Sequence, residues 1–223
     1  MERVGVVGQG STGFYPVRKS LNLLPQGNPS SPSREGGMFL FLGGTRSGKS
    51  SLALAWSEGL GQDLFFLATA RASDMEMEER IRRHRGERSS SWKTLEWNGE
   101  AFPGLPTSME VALLDSVTLL ASDLLIREWE RKGPVPGEAP GLEMVEKVTA
   151  EVLRVVVDLR ERSRFLVVVG DEVGMGLVPP DPLGRAFRDL GGSVNQELAH
   201  WSDQVFLVVA GLPLPLKREG LYA

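Results

Sequence analysis

Eight consecutive residues, Gly43-Gly44-Thr45-Arg46-Ser47-Gly48-Lys49-Ser50, carry the densest chemical signal in this sequence. They follow the pattern G-x-x-x-x-G-K-S, in which glycines let the backbone approach phosphate oxygens without an obstructing Cβ. An apolar run, Met38-Phe39-Leu40-Phe41-Leu42, precedes the loop, and Ser51-Leu52-Ala53-Leu54-Ala55-Trp56, rich in helix formers, follows it. Strand, loop and helix are the context that the phosphate-cradling motif requires. Amides at the start of the helix, aided by its dipole, are expected to face the anion. Lys49 is expected to reach the β- and γ-phosphates, and the Ser50 hydroxyl to ligate Mg²⁺. The loop therefore implies binding of a nucleoside triphosphate.

Other residues with chemical potential fall at the ends of apolar runs. Leu64-Phe65-Phe66-Leu67-Ala68-Thr69-Ala70 ends in small residues, and Val111-Ala112-Leu113-Leu114 ends in Asp115. A strand-end acid downstream of a phosphate loop can support Mg²⁺, although four apolar residues followed by Asp are common. Phe165-Leu166-Val167-Val168-Val169 leads to Asp171-Glu172. Between these runs Ser73 and Glu76 form a capping box, opening a charged helix expected over 74–87. Met77, Ile81 and His84 share one face of that helix, and Arg82, Arg83, Arg85 and Arg88 surround the imidazole. By pattern alone, these arginines suit a triphosphate or a solvated helix face equally. By pattern alone, too, His84 fits a helix-face histidine packed beside Ile81 better than a nucleophile. His200, the second of two histidines, reads as structural.

Five apolar runs alternate with helical stretches, at 38–42, 63–70, 111–115, 165–169 and 204–211. Helices are expected over 51–56, closed by Gly59 and Gly61, and over 74–87, 119–129, 142–162 and 183–200, with Met144, Val148, Val152, Val155 and Leu159 lining the inner stripe of the 142–162 segment. This alternation predicts an α/β fold with a mostly parallel, doubly wound sheet flanked by helices. Ligands in such sheets bind at the carboxyl ends of the strands, where Thr69, Asp115 and Asp171-Glu172 all fall. Gly191-Gly192 interrupts the last helical pattern and signals close packing there. Pro213 and Pro215 place the final segment at a sheet edge or outside the sheet.

At 223 residues, 41% hydrophobic and 24% charged, the chain has the composition of one globular domain. A net charge of −4 gives no reason to expect nucleic acid as partner. No apolar run approaches the roughly 20 residues that span a bilayer. The absence of cysteine excludes disulfides and thiolate metal sites, and fits a cytoplasmic protein. Residues 1–37 are rich in glycine and proline without apolar periodicity, and read as a disordered N-terminal extension before a domain at 38–223. Met38 is itself a candidate initiator, and Glu35-Gly36-Gly37 suits a translated ribosome-binding site, as in an over-extended reading frame.

Several segments together resemble the bifunctional adenosylcobinamide kinase / adenosylcobinamide-phosphate guanylyltransferases of cobalamin synthesis. They are Gly43 to Ser50, Ala68-Thr69-Ala70, Arg80-Ile81 with His84-Arg85, Trp92-x-Thr94-x-Glu96 and Leu114-Asp115. Downstream, Glu172-Val173-Gly174-Met175-Gly176-Leu177-Val178-Pro179, Phe187-Arg188-Asp189 and Val194-Asn195-Gln196 complete the likeness, which runs from about Met38 to Lys217. The phosphate loop is shared with many families, whereas the His84 segment joined to Glu-Val-Gly-x-Gly-x-Val-Pro is far more specific.

The resemblance implies a RecA-like phosphate-loop NTPase fold, a homotrimer, and two reactions. Adenosylcobinamide is phosphorylated with ATP or GTP, and the product is then activated by GTP through a guanylylated histidine. His84 is the residue matching that histidine, with Lys49 serving the kinase step. Nucleotide contacts are implied for Gly43, Gly44, Thr45, Arg46, Ser47, Gly48, Lys49, Ser50, Ala68, Thr69, Ala70, Arg85, Gly86, Glu87, Arg88, Glu96 and Asp115. Ser50 and Asp115 would support Mg²⁺. Two departures stand out: Asp171, where the family often has asparagine, and Ser89, where proline commonly follows the arginine. Two other classes fit the phosphate loop alone, namely a single-activity small-molecule kinase and a non-catalytic nucleotide-switched binding protein.

Overall fold

The computed structural model describes residues 36–70, 75, 79, 82, 86, 88–133 and 137–217. The segment 1–35, and with it nearly all of the expected extension, lies outside them. Gly37 already belongs to the first strand, where it pairs with Phe165.

Among the described residues, seven strands form one sheet in the order β3-β2-β4-β5-β1-β6-β7. In chain order they are β1 (Gly37–Gly43), β2 (Leu64–Ala68), β3 (Trp92–Glu96), β4 (Met109–Asp115), β5 (Ser163–Asp171), β6 (Gln204–Val209) and β7 (Leu212–Lys217). All neighbours are parallel except β6 and β7, which are antiparallel. The central strands are buried on both faces, as all seven residues of β1 are, which explains their continuous apolar runs.

The sheet has two more strands than the apolar runs suggest. Only Trp92 of β3 is buried, because β3 lies at the sheet edge and presents Lys93, Thr94 and Glu96 to solvent. At the other edge, β7 carries Pro213 and Pro215, a placement that spares the ladder two missing donors. A two-residue turn, Ala210-Gly211, joins it to β6 with φ of 52° and 78°, the sign that type I′ hairpins require.

Helix α1 (Lys49–Glu58) covers one face of the sheet, where Leu52 and Ala53 pack on Phe39, Phe41, Val111, Leu113 and Val167. Trp56 adds edge-on ring contacts to Phe39 and Phe41. Helices α2 (Val117–Lys132), α3 (Leu142–Arg162) and α4 (Pro182–Trp201) cover the other face, over Leu40, Leu42, Ala112, Leu114, Leu166 and Val168. The buried stripe of α3 is Val145, Val148, Val152, Val156 and Leu159, with Met144 and Val155 at its margin. Helix α4 continues through Gly191-Gly192, and a Cβ on Gly191 would stand 3.3 Å from Val173 Cγ2, in accord with the expected close packing. Along the expected 74–87 helix, the described residues Met75, Glu79, Arg82 and Gly86 have helical backbone.

Glu128 on α2 binds Arg131 one turn on and Lys147 on α3, each at 2.6 Å. The Arg131 guanidinium, then the Lys147 ammonium, lowers the Glu128 carboxyl from 4.5 to about 2. A depressed carboxylate stabilises the fold above its unfolded value and loses that contribution as pH falls through the folded one. Urea unfolding of wild type and Glu128→Gln across pH 2–5 should therefore converge: the wild type loses its advantage as pH falls from about 4.5 to about 2. A constant gap would exclude this linkage.

Candidate active site at the phosphate loop

β1 delivers the chain to Gly43, and α1 begins at Lys49, so the motif residues form the turn between them. Two glycines are required by close approach and backbone sign. A Cβ on Gly43 would lie 2.5 Å from the Val208 carbonyl oxygen and 2.6 Å from Ser47 Oγ. Gly48 caps the helix at φ 92°, within 3.3 Å of the Gly211 Cα had it a Cβ. The Ser47 amide donates to the Gly44 carbonyl, and the Gly211 amide donates to the Ser47 carbonyl at 2.8 Å. The β6–β7 hairpin thus buttresses the loop from the side away from β5. Gly44, Thr45 and Arg46 form its exposed crest, and Arg46 holds φ 58°. Among the described residues, Ser47 Oγ is buried with no hydrogen-bond partner.

Lys49 is only 7% exposed, and its Nζ lies 2.6 Å from Asp171 Oδ1 and 3.2 Å from the Gly44 carbonyl oxygen. Ser50 follows in the first turn of α1, half-buried. Sequence patterns did not assign Asp171 as the partner of Lys49. Its signal was available: Asp171 closes the β5 apolar run as Asp115 closes that of β4. What the run could not reveal is strand order, which sets β5 beside β1 and Asp171 opposite Gly43.

The backbone at Asp171 is held from three sides. Its amide donates to Thr118 Oγ1 at 2.6 Å, Asn195 Nδ2 donates to its carbonyl at 3.1 Å, and the Glu172 amide donates to the Gly43 carbonyl at 3.1 Å. Beyond it, Glu172 accepts from the Gly174 amide, and Arg188 donates to the Gly174 carbonyl.

Of the other expected site residues, Asp115, Ala68, Thr69, Ala70 and Glu96 spread along the same edge, whereas Arg88 lies over the sheet face. Asp115 ends β4, in register with Ala68 on one side and Val169 on the other, two strands from β1, or about 10 Å at the usual spacing. Thr69 is buried, and its hydroxyl donates to the Ser116 carbonyl and accepts from the Ser116 amide, tying the end of β2 to the β4–α2 turn. Ala68 and Ala70 flank it, half-buried, and the Ala68 carbonyl accepts from the Trp97 amide. Glu96 ends β3, exposed, opposite Ala68. Arg88 lies 3.9 Å over the Phe66 ring and donates to Thr94 Oγ1, on the sheet face between β2 and β3. Gly86 is helical and exposed. His84, Arg85 and Glu87 lie outside the described residues. Among those described, no cluster of three His, Asp or Glu side chains is arranged to hold a metal unaided, and no helix is long and apolar enough to cross a membrane.

A profile of the family "Cobinamide kinase / cobinamide phosphate guanyltransferase" matches residues 39–216, which include the phosphate loop, every strand end described above, and His84. The chain belongs to this family. The bifunctional adenosylcobalamin biosynthesis protein CobU of Escherichia coli is 36% identical over 183 residues, 81% of this chain and 99% of that protein. CobP of Pseudomonas aeruginosa, which carries the same description, is 35% identical over 185 residues, 82% and 98% of the two chains. The flagellar accessory protein FlaH of Methanocaldococcus jannaschii overlaps at a TM-score of 0.42 with 11% identity, over 82% of this chain and 79% of that one. As in its family, the chain has a phosphate-loop NTPase fold and acts in cobalamin biosynthesis as a kinase and guanylyltransferase. The mostly parallel sheet expected from the alternating runs is present.

Substituting Gly43→Ala should destabilise the protein by about 1–3 kcal/mol, because the added methyl meets a backbone carbonyl that cannot rotate away. Nucleotide titration should show weaker binding as well. Unchanged stability and affinity would mean that the loop backbone is softer than its contacts indicate.

Proposed function

We propose that this chain phosphorylates the hydroxyl of adenosylcobinamide with ATP or GTP at the phosphate loop. It then transfers GMP from GTP to the product through His84, forming adenosyl-GDP-cobinamide. The observation that carries this reading is the family match across 39–216, with the loop lysine buried at the carboxyl edge of the sheet.

In the kinase step the acceptor oxygen attacks the γ-phosphorus in line, and the bond to the β-phosphate oxygen breaks. Lys49 and the loop amides take up the charge that accumulates on the phosphate oxygens. The hydroxyl of Ser50 and the carboxylate of Asp115 are hard oxygen donors that suit Mg²⁺, which would supply further neutralisation of the β- and γ-oxygens when bound. In the second step a neutral His84 ring nitrogen attacks the α-phosphorus of GTP, and pyrophosphate leaves. The phosphate of the cobinamide then displaces the histidine, breaking the phosphorus–nitrogen bond. A covalent intermediate divides one difficult displacement into two. Imidazole has an ordinary pKa of about 6.5, so the neutral, nucleophilic ring is available near neutral pH.

The test is incubation with Mg²⁺ and GTP labelled at the α- or the γ-phosphate, followed by denaturing electrophoresis. The wild type should retain acid-labile α-label, and His84→Ala should retain none while still phosphorylating cobinamide. Label persisting in the variant would move the nucleophile elsewhere.

A homotrimer belongs to the same proposal. Val209, Leu212, Leu214 and Leu216 at the β6–β7 edge are exposed apolar side chains, a surface of the kind that association covers. Light scattering on the purified protein should give three times the chain mass; a monomer at micromolar concentration would remove this part. The chain's place of action is proposed to be the cytoplasm.

A further inference from the structure

The part-buried contact between Lys49 Nζ and Asp171 Oδ1 poses a competition. The ammonium that must meet the triphosphate already has a carboxylate at 2.6 Å, and the two side chains are 9% and 26% exposed. Thr118, Asn195 and the Glu172–Gly43 hydrogen bond fix the backbone of Asp171, so its carboxylate cannot retreat with the chain. It can leave only by rotating its side chain. A triphosphate arriving alone would bring several negative charges beside a fixed carboxylate and would take away that carboxylate's cation. Separating a shielded ion pair without a replacement for each charge is strongly unfavourable.

We propose that Asp171 is the exchangeable counter-ion of Lys49 and makes the loop selective for cation-bound nucleotide. As Lys49 transfers to the phosphate oxygens, the Asp171 carboxylate turns towards the divalent cation that accompanies them. Both charges then remain compensated throughout. Metal-free nucleotide offers the carboxylate no such partner, and so binds at a penalty. Asp171 suits this role better than Asp115, because β5 adjoins β1 and Asp171 stands level with Gly43, whereas Asp115 stands level with Val169 on the strand beyond. The inference rests on the reading of the loop as the nucleotide site, and adds to it the way in which metal and nucleotide are coupled.

Calorimetric titration of the full chain with ATP, in EDTA and in excess Mg²⁺, tests it without any turnover. For the wild type, the dissociation constant without metal should exceed that with Mg²⁺ by more than about tenfold, a coupling of ordinary allosteric size. Asp171→Asn should tighten metal-free binding about tenfold and shrink the ratio by the same factor. Asp115→Asn, which removes a donor for the cation, should act on the constant measured with Mg²⁺ and leave the metal-free constant near that of the wild type. Thermal melting verifies that the variants are folded. The wild-type ratio stands as a test by itself should Asp171→Asn fail to fold. A wild-type ratio near one, or metal-free binding that Asp171→Asn does not tighten, overturns the proposal. No ATP binding under either condition would sink the nucleotide-site reading along with it.

Discussion

Parallel pairing of β1 with β5 sets Gly43 opposite Asp171, and the arrangement of the phosphate loop depends on that register. A shift of one residue would turn the β5 side chains to the opposite face and remove the carboxylate from Lys49. The register is secured by burial. Phe39 and Phe41 of β1 meet Phe165, Val167 and Val169 of β5 on the α1 face, while Leu40 and Leu42 meet Leu166 and Val168 on the other. With both faces closed, no alternative pairing keeps the apolar sets covered. The core thereby acts on the chemistry, because it decides which charge stands beside the loop lysine.

Around this pair, neighbouring elements hold the edge still. Thr118 in the first turn of α2 and Asn195 on α4 hold the Asp171 backbone, and the Ala210-Gly211 turn holds the loop at Ser47. Ser116 caps α2 by accepting from the Leu119 amide, while its own backbone pairs with the Thr69 hydroxyl. Each tie satisfies a buried polar group and also fixes a position, so that little reorganisation is left for the moment of reaction. The exposed crest of Gly44, Thr45 and Arg46 is what remains open to a ligand.

The parts legible in the sequence were those with a local requirement. The phosphate loop could be read because its glycines are needed for backbone sign and close approach, and central strands because burial on both faces makes them continuously apolar. Helix α3 was legible to the residue in its boundaries, set by Gly141 and the following strand. Its stripe was read correctly at Val148, Val152 and Leu159 and one residue off at Met144 and Val155, where Val145 and Val156 are buried. The edge strands were not. β3 buries one residue of five, and β7 carries two prolines, so neither shows the pattern of a central strand. Asp171 was visible as a strand-end acid, but its pairing with Lys49 is a consequence of strand order, which no short segment encodes. Arg88 likewise depends on tertiary placement, since its guanidinium lies over Phe66 on the sheet face. His84 was recognised through its neighbours in the family pattern, because a lone histidine on a helix face has no period or spacing of its own.

Everything proposed for the loop requires that Asp171 hold Lys49 until a triphosphate takes it. A crystal structure with Mg²⁺ and a non-hydrolysable ATP analogue measures this directly. Lys49 Nζ should then lie within about 3 Å of a β- or γ-phosphate oxygen and no longer pair with Asp171. A triphosphate bound elsewhere, with the 2.6 Å contact between Lys49 and Asp171 intact, would contradict it.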